Sequence, residues 1–163
     1  MTIRNICKED LQNAYKLHRE YVDKKPFSYF KKYYLKNPKL FVGCFQRGKL
    51  IGICWGYVRK DTVTLNSIAV NYDYWRKGIG SKLLKTFEKQ VKKFHKRTIS
   101  VGSAEGFVEK FYMKNGYKPK LFLVRIGNRK KYIKTEKYSP KMKEKIKKKY
   151  NAREVIYIFE KNL

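Results

Sequence analysis

The stretch from Thr62 to Phe94 constrains this chain more than any other. It begins with Thr-Val-Thr-Leu-Asn-Ser-Ile-Ala-Val, rich in β-branched residues and read as a buried strand ending at Val70. A loop from Asn71 to Lys77 follows, and Gly78 and Gly80 then open a long helix. From Gly78 to Phe94 the apolar residues Ile79, Leu83, Leu84, Phe87, Val91 and Phe94 recur on one helical face. A strand feeding an amphipathic helix through a tight loop demands a sheet with that helix laid against it.

The loop carries its own chemistry. The first turn of a helix has unpaired N–H groups and the positive end of the macrodipole. Glycine lets an oxyanion approach those groups closely, and Arg76, Lys77 and Lys82 add formal positive charge. Together they make a cradle for a phosphate. The spacing is not that of a nucleotide P-loop, and no third glycine completes a dinucleotide fingerprint. At this level an ordinary glycine-containing strand-to-helix turn accounts for the spacing equally well.

The rest of the chain supplies a sheet for this helix. Thr2 to Ile6 reads as a short strand. Lys8 to Asp23 reads as a helix with Leu11, Ala14, Tyr15, His18, Tyr21 and Val22 inward. Phe27 to Lys36 reads as a second helix, bounded by Pro26 and by Asn37-Pro38. Leu40–Phe45 and Leu50–Val58 flank Arg47-Gly48 as a hairpin. Thr98 to Val101 reads as a strand, and Glu105 to Asn115 as a helix with Phe107, Val108 and Phe111 inward and Gly116 as its stop. Leu121–Ile126 and Glu154–Phe159 read as closing strands. The implied fold is α/β, with a mixed, mostly antiparallel sheet and helices on both faces. With 163 residues, 42% hydrophobic, the chain suits a single domain with a real core, over residues 1–163.

Gly127 to Lys149 is a Lys-rich insertion before the last strand, with eleven basic residues against Glu136 and Glu144. Its second half reads as a surface helix: Ser139 suits the N-cap, Pro140 the first turn, and Met142, Ile146 and Tyr150 form a narrow stripe.

The longest uncharged apolar stretch, Leu50 to Val58, is too short to span a bilayer, and no secretory signal fits the N-terminus. Cys7, Cys44 and Cys54 form neither a disulfide framework nor a metal-ligand spacing, and each is expected to be a small buried hydrophobe. With only His18 and His95 besides, no metal site is expected, and the setting is read as a reducing cytoplasm.

A second motif changes what the glycine loop means. Phe111-Tyr112-Met113-Lys114-Asn115-Gly116-Tyr117 follows it by about thirty residues. With Ser67-Ile68-Ala69-Val70 and the loop, the segment from Leu65 to Pro119 resembles the GNAT family of acetyl-CoA-dependent N-acyltransferases. The element order extends the resemblance, more weakly, from Thr2 to about Ile126. The second motif matches the family pattern [ILF]-Y-x-[KR]-x-G-[FY] at every place. Trp75 departs from it, standing where the family has Gln or Arg, and Glu105 stands where many members have asparagine. The strand offers Asn66 and Ser67 where some members carry a glutamate base.

The resemblance implies acetyl transfer from acetyl-CoA to an amine by direct attack. Ile68, Ala69 and Val70 would pair with the pantetheine arm, and Arg76, Lys77, Gly78, Ile79, Gly80, Ser81 and Lys82 would hold the pyrophosphate. A backbone N–H of Ile68 or Val70 would polarise the thioester carbonyl. Tyr112 would lie at the coenzyme sulfur and protonate the leaving thiolate. No base stands out; Glu20, Asp23 and Glu105 are the carboxylates to inspect, and His18 reads as a satisfied core histidine. A homodimer is also consistent with the family.

The net charge of +28 favours polyanions. Residues 1–23 balance four basic against four acidic side chains, so the excess lies downstream. The family uses its first helices on the acceptor side, which is therefore near neutral; free polyamines are disfavoured as acceptors. The Lys-rich insertion is a solvated face, an RNA- or ribosome-docking element, or a lid. The alternative function is thus a basic nucleic-acid- or ribosome-binding module on this fold with weak or lost catalysis.

Overall fold

The computed structural model describes all 163 residues, and they form two compact units, Met1–Ile99 with Leu163, and Ser100–Asn162.

The first unit holds β1 (Thr2–Asn5), α1 (Leu11–Tyr21), α2 (Phe27–Lys36), β2 (Phe41–Gln46), β3 (Lys49–Val58), β4 (Val63–Val70) and α3 (Ile79–Lys92). Its strands run in the order β1-β2-β3-β4, each pair antiparallel. Arg47 and Gly48, with φ of 49° and 77°, make the two-residue turn between β2 and β3; a turn with both central residues left-handed matches the twist of the strands it joins.

Side chains alternate across β3, which places helices on both of its faces. Ile53 and Trp55 join the core built with Leu11, Ala14, Tyr15, Phe30 and Tyr34 of α1 and α2. Gly52 and Gly56 lie against the opposite helix, where an added Cβ would meet Leu83 and Phe87 of α3. Ile79, Leu83, Leu84, Phe87 and Val91 are buried as the helical spacing predicts, while Phe94 lies past the helix end and is half-buried.

The second unit holds α4 (Gly106–Lys114), β6 (Lys118–Ile126), β7 (Arg129–Lys134), α5 (Pro140–Lys149) and β8 (Glu154–Asn162), with most of β5 (Thr98–Ser103). Its strand order is β5-β8-β6-β7, with β6 antiparallel to both β7 and β8. Ser139 caps α5, its hydroxyl accepting the N–H of Met142 at 3.1 Å.

One strand was not anticipated, and three local expectations are corrected. Arg129–Lys134 is a strand, β7, pairing with β6 at the sheet edge, where exposed lysines need no apolar pattern. Phe107 is 66% exposed, because α4 turns Glu109 and Tyr112 inward, with Val108 and Phe111 half-buried. Val22 is exposed, because α1 stops at Tyr21. Cys7 is exposed and donates to Asp10 at 2.8 Å, whereas Cys44 and Cys54 are buried as expected. All three thiols are free.

Candidate functional site

The strand and the glycine loop meet in the first unit. On β4, Trp55 stands opposite Ser67 and Gly56 opposite Leu65, so Asn66 is an extra residue in the ladder with β3. Such a bulge bends and twists a strand and redirects the residues after it. Those residues are Ser67, Ile68, Ala69 and Val70. Ser67 and Ala69 are buried, and Ile68 and Val70 are half-buried.

The loop is tied back to the end of that strand. The Trp75 indole N–H donates to the Val70 carbonyl at 2.6 Å. This is what the departure at Trp75 does: a large aromatic fixes the start of the loop against the strand, and its ring packs on Tyr72 at 5.1 Å. Asn71 accepts the Asp73 N–H at 3.0 Å and closes the short 3₁₀ turn Tyr72–Tyr74. Lys77 donates to the Asp73 carbonyl at 3.0 Å.

Arg76 and Gly78 both have positive φ, 59° and 73°. Gly78 is the N-cap of α3, and no side chain caps the helix there. A Cβ on Gly78 would meet nothing within 4 Å, so the glycine serves backbone conformation and the approach to the helix end is open. Arg76, Lys77, Gly78 and Lys82 are exposed, Gly80 and Ser81 are half-buried, and Ile79 anchors the turn in the core. Left-handed residues before an uncapped helix start direct successive N–H groups toward one point, which an anion fills.

Tyr112 lies in the second unit and is 4% exposed. Its ring packs on Phe111, Tyr117 and Phe159 at centroid distances of 5.4, 5.7 and 6.2 Å. One turn earlier on α4, Glu109 is 1% exposed and fully engaged. Lys143 of α5 binds its Oε1 at 2.7 Å and also donates to the Ala104 carbonyl. Tyr138 donates to its Oε2 at 2.7 Å. Burial and the Glu109 carboxylate push the Tyr138 phenol up to about 12. The Lys-rich segment is therefore tied to α4, and Lys143 is an internal partner rather than a surface charge. Glu109 and Lys143 are separated in sequence and were missed for that reason.

Of the carboxylates considered as bases, Glu20 and Glu105 are exposed. Asp23 instead reaches His18, with Oδ1 3.2 Å from Nε2. His18 is buried as expected of a core histidine, but it makes polar contacts to Ser67 and Trp55 as well. Burial lowers its pKa, and Asp23 works against that shift. An open groove of about 520 Å³, with Leu11 of α1 and Phe27, Tyr34 and Leu35 of α2 on its walls, involves none of these residues. No group of three or more His, Cys, Asp or Glu side chains is placed to hold a metal ion. No helix is long and apolar enough to cross a membrane.

Comparison with known proteins gives a consistent result. The model of the acetyltransferase (GNAT) family matches residues 3–117. A search of curated proteins found no match. Among solved structures, Naa20 of Chaetomium thermophilum in complex with a bisubstrate analogue is similar over 100% of this chain and 87% of its own, at 17% identity and TM-score 0.74. Ribosomal-protein-alanine N-acetyltransferase from Brucella melitensis is similar over 100% of both chains, at 14% identity and TM-score 0.72. PaiA N-acetyltransferase from Thermoplasma acidophilum, in complex with coenzyme A, is similar over 99% of this chain and 98% of its own, at 20% identity and TM-score 0.62. At these identities the likeness establishes the fold.

Proposed function

This chain belongs to the GNAT acetyltransferase family, and from that premise we propose that it moves an acetyl group from acetyl-CoA to an amine acceptor. The observation that carries the reading is the uncapped start of α3 behind two left-handed residues, lying inside the segment that the family model matches.

The residues present fit coenzyme A. Its pyrophosphate needs converging N–H donors and positive charge, which Gly78 to Ser81 and the exposed Arg76, Lys77 and Lys82 offer. Its pantetheine amides need strand backbone, for which Ile68, Ala69 and Val70 are the proposed partners. When bound, the coenzyme supplies an acetyl thioester. A backbone N–H of Ile68 or Val70 polarises the carbonyl, and Tyr112 gives its proton to the leaving sulfur. The reading treats residues 1–163 as one acetyltransferase domain, without a resident metal.

One of the similar structures, from Brucella melitensis, is named as a ribosomal-protein-alanine N-acetyltransferase. Together with the balanced charge of residues 1–23, this supports a protein amine over a free polyamine. The exposed lysines of β7 and α5, among them Lys130, Lys131, Lys145 and Lys148, support a salt-sensitive contact with RNA or a ribosomal surface. Three free thiols suit a reducing cytoplasm, and a homodimer remains part of the family reading.

Thermal shift at moderate salt tests coenzyme binding. Acetyl-CoA at about 100 times its Kd adds about 2.7 kcal/mol, or several degrees at roughly 2–4 °C per kcal/mol. A shift with acetyl-CoA and none with ATP is the expected result. Equal shifts with acetyl-CoA, ATP and a short RNA, all vanishing as salt rises, favour the polyanion-binding alternative.

A further inference from the structure

We propose that Asp23, His18 and Ser67 form a proton relay that accepts the proton released by the attacking amine; the proposal rests on the acetyl-transfer reading. The three side chains come from the segment after α1, from α1 itself and from β4, and they form one continuous chain of polar contacts. Ser67 Oγ is 3.0 Å from His18 Nδ1, and His18 Nε2 is 3.2 Å from Asp23 Oδ1.

A fourth residue settles the direction of the chain. Trp55 points its indole N–H at His18 Nδ1 from 3.3 Å. An indole N–H only donates, so Nδ1 is the lone-pair nitrogen and Nε2 carries the proton toward Asp23. Ser67 must then donate its own proton to Nδ1. This leaves the Ser67 oxygen with lone pairs free for an incoming N–H, and a neutral imidazole ready behind it.

The relay also has the right ends. Ser67 directly follows the Asn66 bulge and directly precedes Ile68, which with Val70 is one of the two residues proposed to polarise the carbonyl. His18 is 1% exposed and Ser67 4% exposed, so neither exchanges its proton freely with water. The Asp23 side chain is 32% exposed, which gives the relay an outlet. The charged groups facing the imidazole are Asp23 and Lys25; Phe30 of α2, Trp55 of β3 and Ser67 of β4 face it without charge.

The proton balance is simple. The amine nitrogen bonds to the acetyl carbon and the carbon–sulfur bond breaks. The amine proton passes to Ser67 Oγ as the Ser67 proton passes to His18 Nδ1. The resulting imidazolium keeps its Nε2–H on the Asp23 carboxylate, and the departing sulfur takes its proton from Tyr112. Ser67 meets the substrate, whereas His18 and Asp23 act through it.

The test combines kinetics with histidine NMR on the full chain. In wild type, kcat falls at low pH along a limb set by His18 in the complex. Ser67→Ala lowers kcat by about tenfold or more near neutral pH, leaves KM for acetyl-CoA within about twofold, and is partly rescued by Ser67→Thr. Asp23→Asn, at a partly exposed position that leaves the core intact, moves the kcat limb and the His18 titration together to lower pH. Nitrogen shifts of the unliganded protein report the Nε2–H tautomer without any turnover. A His18 proton found on Nδ1, or loss of kcat by the same factor at every pH, overturns the relay. Wild-type acetylation with Ser67→Ala within about threefold of it overturns the relay alone. Failure of wild type to acetylate any amine overturns the acetyl-transfer reading and the relay with it.

Discussion

Lys143→Met removes the cation that pairs with Glu109, and the structure says how much this costs. Glu109 is 1% exposed, and the Lys143 side chain 15%. In wild type the carboxylate has one oxygen on Lys143 and the other on Tyr138, both at 2.7 Å. Methionine fills the lysine stem but leaves a buried carboxylate with one neutral partner. Breaking a buried pair from one side costs about 3–5 kcal/mol. Because Tyr138 keeps its bond, the lower end applies, about 3 kcal/mol. At roughly 2–4 °C per kcal/mol for a chain of this size, Tm falls by about 6–12 °C. Glu109→Gln is the milder change, since Lys143 keeps the Ala104 carbonyl and an opening to water. The double variant Glu109→Gln/Lys143→Met is expected to be more stable than Lys143→Met, because the uncompensated charge is gone. Urea denaturation at pH 7 measures all three. A Lys143→Met protein within about 0.5 kcal/mol of wild type, or a double variant whose loss equals the sum of the single losses, refutes the reasoning.

Three further outcomes are expected. Tyr112→Phe lowers kcat by about 10²–10⁴ if the phenol acts as the acid; a change under about threefold removes it from the mechanism. Asp10 is held at about 2, chiefly by the Arg4 guanidinium, below its ordinary 3.8. Its contribution is present above about pH 4 and lost as pH falls through 2; after screening at the half-exposed Arg4 it amounts to about 1–2 kcal/mol. Asp10→Asn is expected to lose that much at pH 6 and to match wild type near pH 2 in chemical denaturation. At Gly56 an added Cβ would lie 2.3 Å from the Thr64 carbonyl and 2.7 Å from the Phe87 ring. Gly56→Ala therefore costs about 1–3 kcal/mol; an unchanged denaturation midpoint would show that β3 and β4 shift apart freely.

The parts of the fold legible in the sequence were those with local causes. Pro26 and Asn37-Pro38 bound α2 at Phe27 and Lys36, and Ser139-Pro140 starts α5, as expected. The face of α3 followed directly from helical spacing. Arg129–Lys134 was missed because an edge strand with exposed lysines buries nothing that alternation could reveal. Phe107 was misassigned because hydrophobicity alone does not choose the inward face of a short helix; here the buried Glu109 takes part in that face. The candidate site divides in the same way. The glycine loop is contiguous and could be read from its spacing. The partners of His18 and Glu109 could not, since Ser67 lies 49 residues from His18 and Lys143 lies 34 from Glu109. Nor could the role of Trp75, which depends on a loop folding back to the Val70 carbonyl.

The central claim is direct transfer of acetyl from acetyl-CoA to an amine. Rapid-quench sampling with radiolabelled acetyl-CoA and a panel of peptide and small-molecule amines tests it most directly. The account predicts label in the acceptor at the rate at which coenzyme thiol appears, with no labelled protein when the acceptor is omitted. Label that accumulates on the protein first contradicts direct attack. Label that reaches no amine, with the coenzyme bound no better than ATP, contradicts the acetyl-transfer reading itself.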